Sequence, residues 1–292
     1  SGRRLLVSIN NNDTLLIYDV DNQKMTEELP GLNVLSSVPV DDCVLYYYKS
    51  SAKSLYRRDL CKNVDELVME GKIDYFSQLI GDILISSRPG PFRYSILGFN
   101  INDRTLAWEY DLKEIAKYAD SPGNEWTKGS ALQVGVVGDI VVVLTVPKLI
   151  AIDARTGADI WIKDMPTYPG KKMALSSDDK EFLLFNGSEF IFINAQSGDI
   201  VRESKTFKES FRNLDLSMAS CTYPVISGKY IYITFTLEYK LFILDAHTFE
   251  IVEVISLKGY QSSISETEPP LIYNNKILQH GTDNIMHIYA NT

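Results

Sequence analysis

The chain has 292 residues, 45% of them apolar and 23% charged, and carries a net charge of −9. It contains no run of 18 apolar residues, so nothing in it reads as a bilayer-spanning segment. Basic pairs occur only at Arg3-Arg4, Arg57-Arg58 and Lys171-Lys172, which argues against nucleic acid or an anionic membrane as the main partner, because both demand a positive stripe.

From the N-terminus onward the apolar runs are short and rich in Val, Ile, Tyr, Phe and Thr, as strands prefer. Arg4 to Leu29 holds three such runs. The middle one, Leu16-Ile17-Tyr18-Asp19, sets a phrase of apolar or aromatic residues closed by Asp or Asn and a turn. It returns as Leu55-Tyr56-Arg57-Arg58-Asp59, Leu97-Gly98-Phe99-Asn100, Ile150-Ala151-Ile152-Asp153, Ile191-Phe192-Ile193-Asn194 and Phe242-Ile243-Leu244-Asp245. A weaker last copy is Met286-His287-Ile288-Tyr289. The six anchors Asp19, Asp59, Asn100, Asp153, Asn194 and Asp245 lie 40, 41, 53, 41 and 51 residues apart, and Tyr289 follows 44 later. A period of about 40–45 residues built of short strands predicts a β-propeller.

Each period reads as four strands. In the fourth these are Leu132 to Val137, Ile140 to Val146, Leu149 to Asp153 and Ala158 to Lys163. After the third strand, the anchor carboxylate or amide is expected to accept the N–H two residues on, with Gly157 or Gly198 taking positive φ at little steric cost. Complete periods start near Asn33, Asp74, Ala131, Lys172 and Thr222. The copy at Arg4 to Leu29 lacks a first strand, and the copy at Pro270 to Tyr289 lacks a fourth. The expectation is one all-β domain over residues 1–292, a seven-bladed propeller of four-stranded antiparallel blades, with six or eight blades as the alternatives. The opening Ser1-Gly2 reads as the scar of trimming from a longer chain.

Two long intervals mark insertions. Asp111 to Gly129 includes Leu112 to Tyr118, whose apolar spacing predicts a short helix. Lys205 to Ser220 carries Phe207, Phe211, Leu214 and Leu216. Both join a fourth strand to the next first strand. In an antiparallel meander that end also carries the loops between second and third strands. A partner-binding face is therefore expected there, with Phe92, Arg93, Trp126, Phe211, Arg212 and Tyr239 as anchors, since Trp, Tyr and Arg dominate interface hot spots. Trp126 stands out because it lies in the turn-rich stretch Ser121 to Trp126, where no strand period calls for an aromatic.

The remaining chemistry-bearing residues read as structural. Cys43, Cys61 and Cys221 are an odd, sparse set with no CxxC spacing, so neither a disulfide framework nor a zinc site is expected. His247, His280 and His287 lack metal-motif spacing, and no Gly-x-Ser-x-Gly elbow or glycine-rich phosphate cradle occurs. Asp19-Val20-Asp21-Asn22 lacks the glycine and distal glutamate of a calcium loop. In the run Tyr46-Tyr47-Tyr48, the outer two face one side of a strand and Tyr47 the other. The sequons at Asn12 and Asn186 fall in hairpin turns.

The stretch Ile150-Ala151-Ile152-Asp153-Ala154-Arg155-Thr156-Gly157 with Trp161 resembles the quinoprotein (PQQ-type) propeller repeat. Asn194 to Gly198 and Asp245 to Thr248 resemble it in part, and Trp108 keeps its tryptophan. The resemblance implies that Trp108 and Trp161 dock neighbouring blades, with Val201 and Val252 at the corresponding positions elsewhere. That family includes quinone-dependent alcohol dehydrogenases with a vicinal cysteine pair, outer-membrane assembly lipoproteins, and sensor or interaction domains. This chain has no adjacent cysteines, so no catalytic residue carries over. The expected function is a non-catalytic scaffold for a protein or peptide, without a cofactor. The rival readings are a quinone-dependent dehydrogenase and an envelope assembly or sensory domain of a larger protein. The compartment is left open, cytoplasmic or extracytoplasmic.

Overall fold

A computed structural model describes residues 4–9, 14–19, 22, 24–30, 34–39, 43–49, 52–70, 74–87, 94–117, 129, 131–164, 172–175, 180–185, 189–204, 221–257, 269–273, 276–280 and 286–290. Its strands group into two compact units, Ser1–Ala131 with Asp153–Ala158, and Leu132–Ile152 with Asp159–Thr292.

In the first unit, β1 (Arg4–Ile9), β2 (Thr14–Asp19) and β3 (Lys24–Pro30) form a three-stranded sheet. A four-stranded sheet follows from β4 (Val34–Pro39), β5 (Val44–Lys49), β6 (Ser54–Asp59) and β7 (Val64–Glu70). The third is β8 (Asp74–Ile80), β9 (Ile83–Ser87), β10 (Ser95–Asn100) and β11 (Thr105–Asp111). The fourth sheet, β12 (Gln133–Val137), β13 (Ile140–Leu144), β14 (Lys148–Asp153) and β15 (Asp159–Asp164), belongs to the second unit except for the turn from Asp153 to Ala158. The fifth is β16 (Lys172–Leu175), β17 (Glu181–Phe185), β18 (Phe190–Asn194) and β19 (Ile200–Glu203). The sixth is β20 (Val225–Ser227), β21 (Tyr230–Phe235), β22 (Lys240–Asp245) and β23 (Ile251–Ser256), and the last is β24 (Leu271–Tyr273), β25 (Lys276–His280) and β26 (Met286–Ala290). Every sheet is an antiparallel meander in chain order. All seven copies of the phrase lie on strands, and the first and last sheets are the two expected to be one strand short.

First strands of successive sheets are neighbours: β4 lies against β8, and β12, β16, β20 and β24 follow one another. Both faces of the middle strands are consequently buried, and the alternation of a strand splits their side chains between two cores. On β17, Phe182 and Leu184 pack with Val142, Leu144 and Ala151 of the fourth sheet. Leu183 and Phe185 pack with Ile231, Ile233 and Phe235 of the sixth. Fully burying one such side chain is worth about 1.5–3 kcal/mol. The tyrosine run obeys the same rule. Tyr46 and Tyr48 join Leu84 and Phe99, whereas Tyr47 faces Ile17 and Leu45 and stacks on Tyr56 at 5.5 Å.

Two expectations change. The stretch from Leu112 to Tyr118, expected to be a short helix, shows a single turn in its described residues, with the Ala116 N–H donating to Leu112 O at 3.0 Å and both of those side chains fully buried. Tyr118 lies outside the described residues. Cys43 and Cys61 form a disulfide, Cα–Cα 5.2 Å, across 18 positions of sequence. The sequence spacing missed it because the two cysteines meet through strand register: Val44 pairs with Asp59 across β5 and β6.

Candidate protein-binding face

Within each meander, the connections between strands one and two and between three and four leave from one end. Those between two and three, and from four onward, leave from the other. The first end is built the same way repeatedly. Asn194 Oδ1 accepts from the N–H groups of Gln196 and Ser197 at 2.9 and 3.0 Å. Asp245 Oδ1 accepts from His247 and Thr248 at 2.8 and 2.9 Å, and Asn100 Oδ1 from Asn102 and Asp103. Asp153 Oδ1 accepts from Arg155 and Thr156 N–H and from the Thr156 hydroxyl at 2.8 Å. Asp19 and Asp59 receive the N–H three residues on, from Asn22 and Lys62. The Thr156 hydroxyl, then the backbone N–H groups, hold the Asp153 carboxyl below its usual range, and the Thr248 and His247 N–H groups do the same for Asp245.

Four residues past each of five anchors the backbone turns left-handed: Asn63, Arg104, Gly157, Gly198 and Phe249 have φ of 56, 57, 73, 70 and 61°. Only two of the five are glycine, and packing says why. The Trp108 indole N–H donates to Ala154 O at 3.0 Å, and that of Trp161 to Ala195 O at 2.8 Å. A Cβ on Gly157 would stand 2.7 Å from Trp108, and one on Gly198 2.8 Å from Trp161. Where no indole arrives, the turn keeps a side chain. Arg202 donates from Nε to Ala246 O at 3.1 Å and from Nη1 to Glu181 at 2.8 Å. There Phe249 fills the glycine's place, its ring 5.9 Å from Phe190. The residues at the position of Trp161, eight past the anchor, are therefore Arg202 and Glu253, and Arg202 makes the docking contact. Val201 and Val252, expected there, are the extra residues of β-bulges, at 48% and 55% exposure. Equivalent bulges fall at Thr26, Ala107 and Ile160.

The opposite end carries the insertions. Both insertions are pinned at their roots. The Gly129 N–H donates to Lys113 O at 3.1 Å, closing the first against the buried turn at Leu112 and Ala116. At the second, the Phe190 N–H donates to the buried Ser204 hydroxyl at 2.8 Å, and Thr222 and Thr234 are joined through the Thr222 N–H and hydroxyl. Between β21 and β22, Leu237 is 67% and Tyr239 37% exposed. Tyr239 has φ 51°, and its carbonyl accepts from Leu257 N–H at 2.8 Å. Positive φ is uncommon for a bulky residue. Lys53 occupies the same turn position of the second sheet with the same φ, so the turn does not require an aromatic. Of the six expected anchors, Tyr239 is where the sequence placed it. Phe92, Arg93, Trp126, Phe211 and Arg212 lie outside the described residues. Leu237 was read in the same loop but not as an anchor, because Leu is under-represented among interface hot spots.

Among the described residues no group of three or more His, Cys, Asp or Glu is placed to hold a metal ion, and no helix is long and apolar enough to cross a membrane.

No family model matches the chain, and no curated protein does. Solved structures do. BamB from Moraxella catarrhalis is similar over 99% of this chain and 91% of its own, at 15% identity and a TM-score of 0.58. The β-propeller domain of Cps50 (Swd1) from Myceliophteria thermophila is similar over 96% and 90%, at 13% identity and a TM-score of 0.67. This likeness shows the fold, that of a β-propeller.

Proposed function

We propose that the chain is a single seven-bladed β-propeller, a divergent relative of the quinoprotein repeat. It acts as a non-catalytic scaffold that holds a protein or peptide at its loop-rich end. Phe92, Arg93, Trp126, Phe211, Arg212 and Tyr239 are the anchors. Seven copies of one phrase on seven sheets support the blade count, and the Trp108 and Trp161 docking contacts support the relationship. The observation that carries the binding face is the exposed pair Leu237 and Tyr239 on a tethered turn, at the end of the sixth sheet where the second insertion enters it. Loops held by a rigid scaffold are where binding residues concentrate. Two exposed apolar side chains on a turn suit a polypeptide better than a small ligand, which would need a concave pocket with convergent polar groups.

The test is the double variant Trp126→Ala, Phe211→Ala, assayed for melting and for capture of a partner already isolated with the wild type. The expected result is an unchanged Tm and at least about 30-fold weaker capture, the equivalent of about 2 kcal/mol. A large loss of stability would assign both side chains to the core, and unchanged capture would remove this face.

A further inference from the structure

The Cys43–Cys61 bond sits at a corner that recurs. The N–H just after the anchor donates to the carbonyl of the residue before the second strand. It runs from Leu60 to Cys43 O at 2.6 Å, Ile101 to Asp82 O at 2.9 Å, Ala195 to Lys180 O at 2.8 Å, and Ala246 to Lys229 O at 2.8 Å. The residue two past the anchor then lies beside that carbonyl's owner. In the other three sheets these pairs are Asp82 with Asn102, Lys180 with Gln196, and Lys229 with His247, all hydrophilic. In the second sheet alone the pair is Cys43 with Cys61, half-buried and exposed respectively, at a Cα separation of 5.2 Å. That separation is within the range a disulfide needs. The third cysteine, Cys221, is 1% exposed and lies at the root of the second insertion, bridged to Phe235.

From this geometry we propose that Cys43–Cys61 is a standing covalent brace of the second sheet's turn end, and that the domain matures in an oxidising compartment. Two thiols within reach of solvent would not stay joined against a reducing thiol pool, whereas structural disulfides persist outside it. The bond forms by exchange. The two thiols lose two protons and two electrons to a disulfide donor, one sulfur attacking the donor and the second displacing it, and the donor leaves as a dithiol. Cys221 takes no part, because burial keeps donor and thiol apart. The brace ties the β4–β5 connection to the turn after β6, where Lys62 also pairs with Asp59 at 3.1 Å. The inference is independent of the loop-rich face.

The test counts thiols in full-chain protein from its native source, isolated without reductant, unfolded in guanidinium with excess N-ethylmaleimide and weighed. One adduct is expected, and three after prior reduction, with a tryptic peptide linking Cys43 to Cys61 in the unreduced sample. Three adducts without reduction would overturn the proposal. A melting series checks the brace itself. Dithiothreitol is expected to lower the wild-type Tm by on the order of 5 °C. The double variant Cys43→Ser, Cys61→Ser should melt at the lower temperature with or without reductant. An equal drop in that variant, or no drop in the wild type, would contradict a bracing role.

Discussion

The two ends of the sixth sheet differ in what their residues are for. At one end, Asp245 collects two backbone N–H groups and Phe249 turns left-handed, as Asn194 and Gly198 do in the fifth sheet. At the other end Leu237 and Tyr239 stand exposed on a turn that Lys53 makes equally well in the second sheet. Hydrogen-bond geometry dictates the first end, and the side chains there answer to their neighbours. An indole requires glycine, whereas an arginine leaves room for phenylalanine. Nothing in the local structure dictates an apolar residue at the second end. A repeated scaffold thus separates residues that the turn geometry dictates from exposed residues that it does not.

Substitutions at the turn end should break the scaffold and leave recognition alone. The largest effect is expected from Gly198→Val. A β-branched residue is strained at a φ of 70°, and its Cβ would press on Trp161. Together these should cost about 3 kcal/mol or more in denaturant unfolding. Phe249→Val, at the same turn position with no indole above it, should cost clearly less, and equal costs would show that the indole contact is immaterial. The smallest effect is electrostatic. The lowered carboxyl range of Asp153 means its turn is stabilised above about pH 4, where the unfolded carboxyl is ionised, and loses that contribution as pH falls through the folded value. Asp153→Asn keeps the acceptor, as Asn100 and Asn194 do, and should flatten the fall of Tm below pH 4 by about 1–2 °C. An unchanged slope would place the acid sensitivity elsewhere.

Much of the fold was legible because the repeat is written in residues with a mechanical role. Asp or Asn at a strand end with an apolar phrase before it marked six third strands, and the weaker copy ending in Tyr289 marked the seventh. What sequence missed depends on register. Arg202 does the work of Trp161 without resembling it, and a bulge at Val201 hides the correspondence unless residues are counted from Asn194. The Cys43–Cys61 contact becomes visible only when Cys61 is placed two past Asp59 and Cys43 just before β5. The helical spacing at Leu112 to Tyr118 yields a single turn from Leu112 to Ala116 among the described residues. The candidate face was legible as topology. Tyr239 was named an anchor because an aromatic in a turn has no strand role, whereas Leu237, read in the same loop, is not a residue type that hot spots favour.

The most direct test of this separation places a photo-crosslinking residue at position 239 in one protein and at position 247 in another. These are opposite ends of a single sheet, and His247 is an exposed turn residue. With the partner present, illumination should yield a covalent adduct from position 239 and none from 247. An adduct from 247 alone, or equal yields from both, would contradict a binding face at the loop-rich end.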